Sequence, residues 1–143
     1  MYKPEIRVAE LRDAEALSPL LAELGYPAPA EQLGSRIERL ADNPGAIVLV
    51  ATIDREIVGI ATAHMFATIH ADAPAAWITA LVVSGASRRR GVGRALVRAL
   101  ERWAHEHGAV RISVNSGTQR ADAHAFYEGS GYAASGKRFT RSL

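Results

Sequence analysis

The chain has 143 residues, 48% of them apolar and 22% charged, enough apolar material for one packed domain over 1–143 and too much for a disordered chain. It has no cysteine, which excludes disulfides, thiolate metal sites and a cysteine nucleophile and fits a reducing cytoplasm. A net charge of +2 does not by itself imply nucleic acid, no stretch approaches the ~20 apolar residues of a membrane span, and the charged stretch from Met1 to Glu10 does not read as a signal peptide.

Glu5 to Ala9 alternates Ile6 and Val8 with polar residues, a short strand. Asp13 can cap a helix running to Leu24, with Ala16, Leu17, Leu20, Leu21 and Leu24 on one stripe. Pro19 interrupts it, so a kink or a late start is expected. Gly25-Tyr26-Pro27 ends it. A second helix is predicted from Ala30 to Ala41, with Leu33, Ile37 and Leu40 inward, and Asn43-Pro44-Gly45 turns the chain. The period then changes. Ala46 to Ile53 and Glu56 to Phe66 read as strands joined by a tight turn at Asp54-Arg55. His70 to Ala76 reads as a loop and Trp77 to Val83 as a further strand. Gly91 to His107 carries the strongest helical signal: Val92, Ala95, Leu96, Ala99 and Trp103 recur at three and four, and Gly108 stops it. Val110 to Val114 alternates as a strand, Asp122 to Ser130 forms a short helix ended by Gly131, and Tyr132 to Leu143 is expected to form a final hairpin. Early hairpins and a later strand–helix–strand crossover predict an α/β chain with a mixed sheet and helices on both faces.

The run "SRRRGVGRAL", Ser87 to Leu96, needs an explanation of its own. It lacks the third glycine of a dinucleotide fingerprint, and no Gly-Lys-Ser/Thr of a P-loop occurs anywhere. Arg90, Arg94, Arg98 and Arg102 stand four apart on one helical stripe that could track a phosphate backbone. The same stripe serves equally as a solvated face with Glu101 and Glu106 beside it. No aromatic residues interleave with it, so no nucleic-acid partner is expected. The position between a strand and a helix start offers another role. Free amides and the positive end of the helix dipole favour an anion there. Glycine allows close backbone approach, and arginine adds charge-assisted bonds to phosphate. A glycine-eased helix start without any ligand would look the same.

Two flanking segments decide between these. Upstream is "WITALVV", Trp77 to Val83. Downstream is "RADAHAFYEGSGY", Arg120 to Tyr132. With Arg88-x-x-Gly91-x-Gly93 between them, the three resemble the GNAT superfamily of acyl-CoA-dependent N-acyltransferases over roughly Trp77 to Tyr132. The pattern is an L-x-V strand end, then R/Q-x-x-G-x-G/A, then A-x-x-F-Y-x-x-x-G-F/Y. The resemblance implies a GNAT fold, with a central, mostly antiparallel sheet, two parallel strands splayed at the CoA site, and helices on both faces. It implies an N-acetyltransferase taking its acetyl group from acetyl-CoA. Arg88, Arg89, Arg90, Gly91, Val92, Gly93 and Arg94 would cradle the pyrophosphate. The pantetheine would lie along the backbone of Leu81 and Val83, with an amide of Val82 or Val83 at the oxyanion. Tyr127 matches the general acid, since a phenol can donate to a departing thiolate; a tyrosine that only packs is the alternative. Asn115 would bond pantetheine or acceptor, and Arg120 a phosphate or the ribose. Tyr26, in the segment corresponding to the substrate-covering helix pair, and Thr79 are expected to contact the acceptor. A homodimer follows by analogy alone.

The chain departs from the pattern where many relatives carry a carboxylate just before L-x-V. Here Thr79 and Ala80 stand, and neither takes a proton at neutral pH. A lysine-like amine left without a base costs on the order of 4–5 kcal/mol at pH 7, an α-amino group only about 1.4. His64, late in the neighbouring strand, is the first substitute; His70 and Glu23 come after it. No histidine pair has metal-ligand spacing, so no metal is expected. A CoA-binding module without turnover and a basic nucleic-acid-binding protein are the rival readings. The acceptor is expected to be a small amine more readily than a protein tail.

Overall fold

A computed structural model describes residues 3–88, 90–115 and 121–143. Strand β1 (Glu5–Val8) leads through one 3-10 turn at Leu11–Asp13 into α1 (Ala14–Leu24) and α2 (Ala30–Ala41). Strands β2 (Ala46–Ile53), β3 (Glu56–Phe66) and β4 (Ala75–Val83) follow, then α3 (Val92–Glu106), β5 (Ile112–Val114) and α4 (Ala121–Gly129).

The five strands lie in the order β1-β2-β3-β4-β5. The first three pairings are antiparallel and β4 with β5 is parallel. The β2–β3 turn uses Asp54 and Arg55 with φ of 51° and 71°, the two positive values of a type I′ hairpin. Two cores form, one on each face. On one, Val48, Val50, Ile60 and Val82 pack with Leu17, Leu20, Leu33 and Ile37 of α1 and α2. On the other, Leu49, Ala51, Ala61, Ala63 and Ile78 pack with Val92, Leu96, Val97 and Leu100 of α3. The last four lie at 92, 96, 97 and 100, the spacing that keeps one helical face inward.

Pro19 sits inside α1 without ending it. It removes one amide donor and the helix continues, since Leu17 and Leu20 on either side are buried. Asp13 gives α1 no side-chain cap. Instead its carboxylate takes two bonds from Arg7 at 2.8 and 2.9 Å and one from the Glu10 amide at 2.7 Å, tying β1 to the helix start. Those bonds, from Arg7 above all, hold the Asp13 carboxyl below its ordinary pKa. The expected hairpin over Tyr132 to Leu143 is corrected: residues 132–143 form no strand. Ala133, Ala134, Ser135 and Gly136 have little side chain to pack, and Phe139 and Leu143 are exposed. Tyr132 instead docks on α3 and donates to Glu101 at 2.8 Å. Burial and that carboxylate push its phenol pKa well up, and Glu101 is thereby engaged by a tyrosine.

Candidate active site

The β4–β5 pairing is short. Ala76, Trp77 and Ile78 pair with Ile112, Ser113 and Val114. β4 runs on to Val83, still paired with β3 on its other side, but among the described residues with no partner on the β5 side. From Thr79 onward the β5 side of β4 is therefore open among the described residues, a gap after the parallel pairing. Leu81 to Val83 border it with backbone that can bond an extended ligand as a strand would. The expected splay falls at this end of the pairing, next to Thr79.

Thr79 is also the residue of a β-bulge. Thr62 pairs with Ala80 and Ala63 with Ile78, leaving Thr79 without a partner. The extra residue has a packing reason. Strict alternation would send Ile78 and Leu81 to opposite faces. With the bulge between them, both pack on the α3-side core, while Val82 remains in the α1/α2-side core. The bulge also aims Thr79 at two β3 residues. Its Oγ1 lies 2.6 Å from Thr62 Oγ1 and 3.4 Å from His64 Nδ1. With the proton on Nε2, Nδ1 accepts from Thr79, whose oxygen accepts from Thr62. The next rung adds two aromatics. His64 is opposite Trp77, and the Trp77 ring meets Phe66 edge-on with centroids 5.3 Å apart. Sequence reading singled out His64 and Thr79; Thr62, Phe66 and Trp77 join them only in the fold. A polar residue at every second position late in β3 was the available signal for Thr62.

The arginine–glycine run opens α3. Gly91 is the helix N-cap with φ +77°, a left-handed conformation that costs other residues about 1–2 kcal/mol. The first amides of α3, from Val92 on, lack intrahelical partners, which suits an anion. Arg88 is exposed and lies 4.0 Å from Glu23 of α1; that carboxylate also accepts from the Gly85 amide at 3.2 Å. Glu23 is therefore tied to the loop leaving β4 and is not among the partners in the Thr79 cluster's hydrogen bonds. Arg90 borders a depression with Asp54, Glu56 and Ser87. Arg94 borders a groove with Arg98, Glu101 and Ser130, between α3 and the end of α4, and Arg98 is exposed there. Arg89 and Arg120 lie outside the described residues.

α4 reaches the same helix start. A Cβ built on Gly93 would stand 3.4 Å from the Phe126 ring, and Phe126 packs on the α3-side core. Next to it, Tyr127 is half-buried, with ring centroids 5.3 Å from Phe126 and 5.9 Å from Tyr132. Asn115 is exposed at the end of β5, beside the gap. Tyr26 is 70% exposed. It follows Gly25, whose φ is +101°, and its amide closes α1 by donating to Leu21 at 2.9 Å. His70 is exposed in the β3–β4 loop and takes no part in the Thr79 cluster's hydrogen bonds. Among the described residues no group of three or more His, Asp or Glu could hold a metal, and no helix is long and apolar enough to cross a membrane.

Comparison with known proteins supplies independent observations. The pattern of the Acetyltransferase (GNAT) family matches residues 9–132. An aminoglycoside N(6')-acetyltransferase type 1 of Stenotrophomonas maltophilia is 30% identical over 132 residues, covering 90% of this chain and 86% of that protein. An aminoalkylphosphonate N-acetyltransferase of Salmonella typhimurium is 28% identical over 97% of this chain and 91% of its own length. An aminoglycoside N-acetyltransferase solved in complex with CoA shares 17% identity, with a TM-score of 0.87 and coverage of 100% of this chain and 96% of that one. At that identity the last likeness speaks for the fold.

Proposed function

Since this chain belongs to the GNAT acetyltransferase family, we propose that it acetylates a primary amine of a small molecule at the β4–β5 gap, with Tyr127, His64 and Thr79 moving protons. Acetyl-CoA is the donor and supplies an acetyl group activated as a thioester. The observation that carries the reading is the gap: it begins at Thr79, beside the Thr62–Thr79–His64 cluster. Two relatives that this chain covers over most of their length act on small amines by name, which supports a small acceptor.

In this reading the amides opening α3, with Arg88, Arg89, Arg90 and Arg94, hold the pyrophosphate, helped by the dipole of α3. Gly91 supplies the turn, and Val92 and Gly93 the close backbone. Leu81 to Val83 hold the pantetheine by backbone bonds and present an amide where negative charge develops. Asn115 and Arg120 complete the donor's side. Thr79 bonds the incoming amine, and His64 takes its proton through the Thr79 hydroxyl, since no carboxylate belongs to that hydrogen-bonded cluster. Tyr127 returns a proton to the departing sulfur; its place beside Phe126, which packs on Gly93, supports that role. Tyr26 covers the acceptor. The reading extends to one domain over 1–143 acting in the cytoplasm, and to a homodimer, for which exposed Phe139 and Leu143 offer surface.

Calorimetry with acetyl-CoA and thiol release across a panel of primary amines test it together. Binding with thiol release is the expected result. Binding without release from any amine would leave a CoA-binding module, and no binding at millimolar donor would overturn the reading.

A further inference from the structure

The acceptor side of the gap has a definite chemical character. On one patch of the β3–β4 surface stand Thr62, His64, Phe66, Trp77 and Thr79, connected by two hydrogen bonds and one ring contact. None is a carboxylate. Trp77 is 45% exposed. Phe66 meets it edge-on and fixes its ring, so a flat surface is held ready beside a cluster of hydroxyls and one imidazole. A polycationic acceptor needs carboxylates to pair its several ammonium groups. This patch offers one hydroxyl-and-imidazole cluster for one amine, and an aromatic surface for a ring.

Spacing narrows the class. Trp77 and Thr79 both meet His64: Trp77 is its cross-strand partner, about 5 Å away, and Thr79 Oγ1 lies 3.4 Å from its Nδ1. A ring resting against Trp77 and an amine bonded to Thr79 are then separated by an arm of two or three bonds. Resting on the assignment of the acceptor to this gap, we propose that the acceptor is an arylalkylamine: a single primary amine on a short alkyl arm of an aromatic ring. Trp77 and Phe66 set this specificity, and the hydroxyl–imidazole cluster receives the amine.

The test uses thiol release with acetyl-CoA and four acceptors: phenylethylamine, propylamine, a polycationic aminoglycoside and aminomethylphosphonate. Phenylethylamine is expected to exceed propylamine in kcat/KM by about tenfold, the factor that one aromatic contact supplies. Trp77→Ala should remove that advantage through KM, bringing phenylethylamine down towards propylamine, with calorimetric affinity for CoA retained. Trp77→Phe should restore most of it, and Phe66→Leu should lower it in part. Thermal melts of each variant separate lost packing from lost recognition, because unfolding would lower both amines alike. Preference for the aminoglycoside or the phosphonate overturns the inference while leaving the proposed function standing. So does equal use of propylamine, or a Trp77→Phe enzyme that folds and binds CoA without regaining the preference. Thiol release from no amine at all overturns the proposed function itself.

Discussion

The two faces of the sheet are built by different means. On the α3 side, the proposed cradle for the donor is nearly continuous in sequence: β4 ends at Val83, Gly91 caps α3, and the helix runs from Val92. Its parts are backbone amides, a glycine with positive φ, and arginines a few residues apart. On the α1/α2 side, the proposed acceptor patch is assembled across strands. Thr62 and Thr79 are 17 residues apart, and only a β-bulge brings their hydroxyls together. A ligand shared by a whole family can be held by backbone and a local motif. A ligand particular to one chain has to be met by side chains from separate strands, and such a site leaves little local trace.

Changes on each side should therefore separate cleanly. The largest effect is expected from Tyr127→Phe, which removes the phenol hydroxyl and keeps the ring. Loss of a general acid should lower kcat by about a hundredfold or more, with calorimetric affinity for CoA nearly unchanged. An unaltered kcat would take the acid role from Tyr127.

Asp13→Asn comes next and touches the acceptor side through α1. It removes the anion that Arg7 pairs with and weakens the tie between β1 and the helix start. The cost is about 2 kcal/mol at neutral pH, discounted because Arg7 is one-third exposed. The Asp13 pKa is lowered in the fold, so its stabilisation is fully present above the unfolded value of about 3.9 and fades as pH falls through the folded value. Melting curves should show wild type and variant well apart at pH 7 and converging in acid. A gap that persists in strong acid would assign the loss to packing rather than charge. Loosening of α1 should also raise the acceptor's KM more than it alters CoA affinity.

The smallest effect is expected from Gly91→Ala. A side chain at φ +77° costs about 1 kcal/mol. If the turn shapes the cradle, calorimetry should show CoA binding weakened about fivefold with acceptor KM unchanged. Weakened acceptor binding with intact CoA affinity would invert the division between the two faces.

Much of this was legible from residue order. Period-3.6 runs placed α1, α2 and α3 within a residue or two, and Asp54-Arg55 marked the β2–β3 turn. The R-x-x-G-x-G run with its neighbours identified the donor. Local chemistry suffices there, because helix caps, tight turns and amide cradles are decided within about one turn of chain. The expected C-terminal hairpin failed for the complementary reason. Apolar alternation proposes a strand, but only a neighbouring edge with side chains to pack makes one. Asp13 read as a helix cap because it precedes the helix. Arg7, six residues earlier, captured it once β1 had placed that guanidinium alongside. The acceptor patch was the least legible part. Thr79 stood out only as a residue of the wrong chemistry for a base. Its partners Thr62 and His64 lie on another strand, and Trp77 looked like one more apolar strand residue.

The sequence by itself determined the elements, their order and the donor, because each depends on contacts within a few residues. The tertiary structure decided where the strands part, which residue bulges, and which hydroxyls, imidazole and rings share one face. Those depend on register between strands, and register is set by the packing of both faces at once.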